Sequence, residues 1–260
     1  MNSLESGLPP KALPEPAYAD EFVTLYHGDC RELLPVLPAA DLIVADPPYG
    51  DTSLEWDRWV PDWAALLNAP QAWAFGSMRM WLTKGYAEFV GAGWALAQDI
   101  VWEKHNGSSF HADRFRRVHE HALHWYKGAW GDLYRDVQTT PDATARAVRR
   151  KQRPAHTGHI EASSYVSEDG GPRLQRSVIP VRSCHGHAIH PTEKPLGILT
   201  PLILASCPPG GLVIDPFAGS ASTLDAARRV GRRAIGIEAN AEYVARAVDR
   251  FSQGVLVDVG

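Results

Sequence analysis

The sequence predicts an α/β fold, with parallel strands joined by helices and a segment of different character inserted ahead of the last third. Three observations predict it. Short apolar runs alternate with stretches of helical period. Two of those runs pass directly into Asp-Pro, as buried strands do where the chain leaves a sheet. From about 128 to 185 the periodicity gives way to Arg, Ser, Thr, Gly and His.

Residues 1–19 are polar and Pro-rich, lack the apolar core of a secretory signal, and read as a loose arm. Residues 22–26 form an apolar run before Gly28-Asp29, and 42–45 a second that meets Asp46-Pro47; both are strands. Residues 73–75 form a third strand that stops at Gly76, and 77–91 carry helical spacing up to Gly91. Strands follow at 99–102 and 122–126. Inside the irregular segment one helix is predicted over 141–150. Order returns after Pro191, with a helix over 192–207, a strand over 212–214, a helix over 220–230, a strand over 233–237 and a last helix over 241–251.

The 260 residues are 45% hydrophobic and 22% charged, which suits one α/β domain with an inserted lobe. Three cysteines, widely spaced and odd in number, argue against a disulfide framework and for a reducing interior. No apolar run approaches the roughly 20 residues of a membrane span, so the expected location is the cytoplasm, with no membrane partner. The net charge of −4 argues against a basic coat protein, but it is unevenly spread. Residues 104–190 hold 14 Lys/Arg against 8 Asp/Glu, or +6, which leaves −10 for the remainder; the same window holds ten of the eleven histidines. Such a basic middle suits phosphate contact. The candidates are the clusters Arg114, Arg116, Arg117 and Arg146, Arg149, Arg150, Lys151, Arg153. The alternative is an ordinary solvated surface.

Two strand ends carry chemistry. In Asp46-Pro47-Pro48-Tyr49 the prolines fix φ and remove two backbone donors. A carboxylate, a free carbonyl and an aromatic ring then project from one stiff turn, a set that suits an aromatic amine. In Asp215-Pro216-Phe217-Ala218-Gly219-Ser220 a strand opens through small residues into a helix N-terminus, and Glu238 follows about 20 residues on at the next strand's end. That order suits a nucleotide-like cofactor whose ribose hydroxyls meet the acidic residue.

At these residues the chain resembles the S-adenosylmethionine-dependent DNA amino-methyltransferases of adenine N6 and cytosine N4, in the permuted β-group order with the catalytic motif first. Residues 46–49 match the catalytic tetrapeptide, 215–219 the cofactor loop and Glu238 the ribose ligand. Gly28-Asp29, His119-Glu120, Lys127 and His190-Pro191-Thr192-Glu193-Lys194-Pro195 fall where that group expects its other motifs. The usual turn has a second glycine where this chain has Ala221. The resemblance covers roughly 20–127 and 188–252. It implies a Rossmann-like methyltransferase fold with a catalytic half over 20–127, a target-recognition segment over 128–187 and a cofactor-binding half over 188–260.

The resemblance further implies S-adenosylmethionine as cofactor and double-stranded DNA as partner, with N6 of adenine favoured by Asp46 and N4 of cytosine as the alternative. Tyr49 would stack on a flipped base while Asp46 and the Pro48 carbonyl accept from its amine. Asp29 would lie near the cofactor adenine, Thr192 and Lys194 at its methionine end, and Asp215, Phe217, Gly219 and Ser220 along the crevice. A homodimer, and a cognate restriction endonuclease as companion, belong to the same expectation. Cys184, His185, His187 and His190 invite a zinc site, but the family's chemistry needs no metal and none is expected. The rivals are a methylase-like binding protein that has lost catalysis, a methylase of protein glutamine or RNA, and a nicotinamide oxidoreductase, which leaves residues 46–49 without a role.

Overall fold

The computed structural model describes residues 12–53, 55, 57–108, 113, 115–136, 138–150, 163–184 and 193–252. They form two compact units: the chain up to Arg135 together with the chain from Ser177 on, and Asp136–Arg176. In chain order the strands of the first unit are β1 (Tyr18–Ala19), β2 (Val23–His27), β3 (Leu42–Ala45), β4 (Gln71–Gly76), β5 (Ala95–Ser108) and β6 (Arg117–Tyr126). The second unit contains β7 (Thr139–Thr140), β8 (Arg146–Arg150), β9 (Ser163–Ser167) and β10 (Arg173–Leu174). The first unit resumes with β11 (Val178–Pro180), β12 (Leu212–Asp215) and β13 (Arg233–Glu238).

The first unit is built on one nine-stranded sheet of order β1-β2-β13-β12-β3-β4-β6-β5-β11. Its centre, β2 to β4, is parallel throughout. β6 runs antiparallel between β4 and β5. Parallel strands need both faces covered, and residues of alternate parity supply two cores. Leu42, Val44, Val213, Trp73 and Phe75 face one; Ile43, Ala45, Leu212, Ile214, Ala72 and Ala74 face the other. Helices α4 (Leu196–Ser206), α5 (Ser222–Arg229) and α6 (Ala241–Ser252) supply the first core. The second is covered by α1 (Cys30–Leu33), a 3-10 turn at Trp63–Leu66, and the run α2 (Met78–Met80), a π turn over Trp81–Gly85 and α3 (Tyr86–Gly91).

The chain from β12 through α5 moves to β13 on one side, whereas the chain from β3 moves to β4 on the other. The sheet therefore reverses its winding between β12 and β3, which pair directly with Ile214 opposite Ile43. A crevice outside the carboxyl ends of two such strands is where open α/β sheets bind ligands.

Most elements lie where the sequence predicts them, within a few residues. Helix α4 begins only at Leu196, because Pro195 at its N-cap is extended, with ψ 147. The helix predicted over 141–150 is wrong. Residues 146–150 form β8, paired antiparallel with β9, so that Arg146 faces Ser167 and Val148 faces Tyr165. Ahead of β8 the Asp142 carboxylate accepts from the Thr140 hydroxyl at 2.5 Å, and the Ala145 N–H donates to Asp169 at 2.6 Å. Strand pairing outweighs the helix propensity of the Ala and Arg residues here. Among the described residues, no helix is long and apolar enough to cross a membrane.

Candidate active site

Asp46 follows β3 and Asp215 ends β12, so the two Asp-Pro motifs meet at the switch point although they lie far apart in the chain. Both Asp46 oxygens are engaged. Oδ1 accepts from the Tyr49 hydroxyl at 2.7 Å, and Oδ2 accepts from Lys194 Nζ at 2.5 Å. Lys194 also lies 3.3 Å from Glu120 Oε2, and Glu120 Oε1 pairs with Lys104. The Tyr49 hydroxyl is 3.5 Å from Glu120. Two carboxylates and two ammoniums thus alternate in one half-buried chain, with a phenol donating into it.

This arrangement sets charge states. Burial opposes the Lys194 charge, but Asp46 and then Glu120 outweigh it, and the ammonium holds its proton more firmly than usual. Burial pushes Glu120 up, but Lys194 and Lys104 prevail and hold it at about 2. Burial, then the charges of Asp46 and Glu120, lift the Tyr49 phenol well above its ordinary value, so it stays a neutral donor.

The loop after Tyr49 is fastened from one point. The Asp57 carboxylate accepts from the N–H groups of Gly50, Asp51 and Thr52 at 2.8, 3.0 and 2.7 Å, and from the Thr52 hydroxyl at 2.7 Å. Lys84 Nζ donates to the Tyr49 carbonyl at 3.3 Å, and Gly50 takes φ 69. Residues 46–49 are thereby held at both ends.

On the β12 side, Asp215 is buried and accepts from the Phe217 N–H at 2.9 Å. Burial raises its carboxyl to about 7; hydrogen bonds from Thr223 and Phe217 oppose this, and the Asp46 and Glu238 charges add to it. The Gly219 N–H donates to Glu238 Oε2 at 2.8 Å and the Asn240 N–H to Oε1 at 2.7 Å. Gly219 has φ 51, and Ala221, at the glycine position of the usual turn, is itself left-handed at φ 60, ψ 28. A side chain at Gly236 would come within 2.8 Å of Leu224, so this glycine lets the turn and α5 lie close on β13. Ser220 is buried, and its carbonyl accepts from Arg250, which also pairs with Glu193. Phe217 packs edge-on to Trp63, with ring centroids 5.0 Å apart.

Asp215 feels the charges of Asp46 and Glu238, so three carboxyl groups gather beside a strand-to-helix turn. The donor set fits a nucleoside cofactor that carries a positive sulfonium, with Glu238 placed for hydroxyls and Asp215, Phe217 and Gly219 around the turn.

The other candidates are dispersed. Asp29 caps α1 and is paired with the Arg31 guanidinium at 2.6 Å. Arg116 and Arg117 are exposed at the foot of β6, with Arg117 3.5 Å from Asp51. Arg146 and Arg149 are exposed on β8 of the second unit, and Arg150 ends that strand. Thr192, Arg114, Lys151, Arg153, His185, His187 and His190 lie outside the described residues. Lys194 stands on Asp46 itself. Glu120, Lys104, Lys84 and Asp57 escaped the sequence reading as site residues; the pair His119-Glu120 ahead of an apolar strand was the one available signal.

Fold and site together define an α/β class in which two Asp-Pro strand ends, one of them opening into a helix, share a switch-point crevice. Comparison with known proteins makes this specific. The DNA methylase family profile for N6 and N4 modification matches residues 40–249. The chain belongs to this family of DNA amino-methyltransferases. It is 29% identical to the DNA adenine methyltransferase YhdJ of Escherichia coli K12 over 90% of this chain and 84% of that one. The fold is shared with the SAM complex of M1.HpyAVI, at TM-score 0.57 and 24% identity over 88% of this chain and 99% of the other. It is also shared with the cytosine-N4-specific PvuII DNA methyltransferase, at TM-score 0.66 and 17% identity over 91% of this chain and 88% of the other.

Proposed function

We propose that the protein transfers a methyl group from S-adenosylmethionine to the exocyclic N6 of adenine in double-stranded DNA, with the target base flipped out of the duplex. The observation that carries this reading is Asp46 at the switch point, its two oxygens held by Tyr49 and Lys194 beside the Asp215 and Glu238 turn. The cofactor supplies an electrophilic methyl group on sulfur; the chain does the rest. A stacked base cannot reach the crevice, so flipping, at a cost of about a few kcal/mol, comes first. Tyr49 offers its ring face to the base, and Asp46 with the Pro48 carbonyl accepts from the amine. This draws the nitrogen lone pair out of conjugation. Positive charge develops on that nitrogen, the Asp46 carboxylate stabilises it, and the nitrogen then loses a proton to water to give the neutral methylamine. For the amine to reach Oδ2, Lys194 must release it; Glu120 Oε2, 3.3 Å from Nζ, is the acceptor that takes the ammonium over.

Asp46 as first motif residue and the likeness to an adenine methyltransferase support N6 over N4. Exposed Arg116, Arg117, Arg146 and Arg149, continued in sequence by Arg114, Arg150, Lys151 and Arg153, are the proposed phosphate contacts. Within residues 128–187, the proposed recognition segment, β8 and β9 make a two-stranded ribbon of the kind a major groove admits. A homodimer, a companion endonuclease and a cytoplasmic setting belong to the same proposal. Met78, Leu82, Tyr86 and Val90 form an exposed apolar stripe at four-residue spacing that supports the dimer. Nucleoside mass spectrometry of DNA from cells that make the protein tests the assignment. N6-methyladenine is expected, and N4-methylcytosine in its place overturns the choice of base.

A further inference from the structure

We propose that Phe115 is a wedge that enters the base stack at the gap left by the flipped target nucleotide. The inference rests on the DNA-methylating, base-flipping function proposed above and adds a residue to it. Phe115 is 102% exposed, the most exposed large apolar side chain among the described residues. A single exposed apolar side chain is ordinary on a protein surface. What sets Phe115 apart is where it stands. It lies between the long antiparallel strands β5 and β6, and Arg116 and Arg117 follow it directly, both exposed. An aromatic ring flanked by guanidiniums suits nucleic acid, the cations on phosphates and the ring between bases.

The position is also tied to the active site. β6 runs from Arg117 to Glu120, whose carboxylate meets Lys194 and Tyr49. Phe115 is thus five residues from the catalytic cluster, about 17 Å of extended chain. A duplex that delivers a base to Tyr49 therefore meets the foot of β6 as well. The base of this hairpin is held in place. A side chain on Gly107 would come within 2.2 Å of the Arg117 carbonyl, so the two backbones touch there. Arg117 reaches Asp51, and the backbone N–H of Asp51 is held by Asp57 in the loop that follows Tyr49. The wedge and the catalytic loop are thereby fastened to each other. An apolar group in the vacated position keeps the flanking bases stacked and hinders return of the target, and its π face tolerates any neighbour.

The test begins with the site modified by the wild-type protein, located by methylation-sensitive sequencing. Single-turnover methylation is then measured on a duplex of that sequence, and on the same duplex with an abasic position opposite the target. On the paired duplex, Phe115→Ala is expected to be slower than wild type by about tenfold or more, equivalent to roughly 1.4 kcal/mol. On the duplex where the target is already unpaired, the two proteins should agree within about threefold, and Phe115→Trp should retain wild-type rates on both. Unchanged thermal unfolding confirms that the exposed position leaves the fold intact. Equal rates for Phe115→Ala and wild type on the paired duplex, or equal slowing on both duplexes, overturn the wedge alone. A wild-type protein that modifies no DNA overturns the parent function, and the wedge with it.

Discussion

Removing the ammonium of Lys194 should unbalance the whole charge chain. In Lys194→Met the volume is nearly kept, but Asp46 Oδ2 loses a partner at 2.5 Å and Glu120 Oε2 one at 3.3 Å. The Lys194 side chain is only 5% exposed, so water does not replace it freely. Breaking one partner out of a buried pair costs about 3–5 kcal/mol. Glu120 keeps Lys104, which argues for the lower end, about 3 kcal/mol. For a chain of this size that corresponds to a fall in Tm of roughly 6–12 °C. The pH dependence gives the sign. Wild-type Glu120 sits at about 2, below its ordinary 4.5, so its contribution to stability is fully present above about pH 4.5 and is lost as pH falls towards 2. In the variant Glu120 loses the first of the two ammoniums that hold it down and rises, so the penalty should be largest near pH 8 and shrink as pH falls through about 4.5. Thermal and urea unfolding at pH 3, 4.5 and 8 measure this. A variant within 1 kcal/mol of wild type at pH 8, or a penalty independent of pH, would refute the assignment of Lys194 as the cation that neutralises Asp46 and Glu120.

Three further outcomes are expected. Asp57→Ala leaves three backbone donors and the Thr52 hydroxyl without their acceptor, so it should lose about 2–3 kcal/mol in urea unfolding and slow methyl transfer more than it weakens DNA binding. Ala221→Gly should stay within about 1 kcal/mol of wild type, because relief of the left-handed backbone offsets a lost methyl; Ala221→Val, β-branched at φ 60, should cost more than about 2 kcal/mol. Asp215, raised to about 7 from 3.8, holds in the folded state a proton that the unfolded chain has lost, so stability should fall as pH rises from about 4 to 7. Asp215→Asn should remove that fall, on the order of 4 kcal/mol at most, in unfolding series across the same window.

The centre of the sheet was legible because both of its faces are buried. Runs such as Leu42 to Ala45 and Leu212 to Ile214 are apolar at every position, and the Asp-Pro that follows each marks a strand end. Residues 146–150 misled because the partner that makes them a strand lies beyond residue 162. The π turn at Trp81–Gly85 carries no local signature distinct from an α-helix. At the site, Asp46 and Asp215 were readable as motifs, but their adjacency is a property of the sheet. The pairing of Asp46 with Lys194 spans 148 positions, and Glu120 and Lys104 join it across two strands. No spacing rule reaches such contacts; they follow from strand order alone.

The central claim is that Asp46 accepts the target amine, and Asp46→Asn tests it most directly, since the substitution keeps the shape and removes the charge. Transfer of labelled methyl from S-adenosylmethionine to DNA should fall by about a hundredfold or more, while cofactor and DNA affinity stay near wild type. Methylation at the wild-type rate by the Asp46→Asn protein would contradict the account.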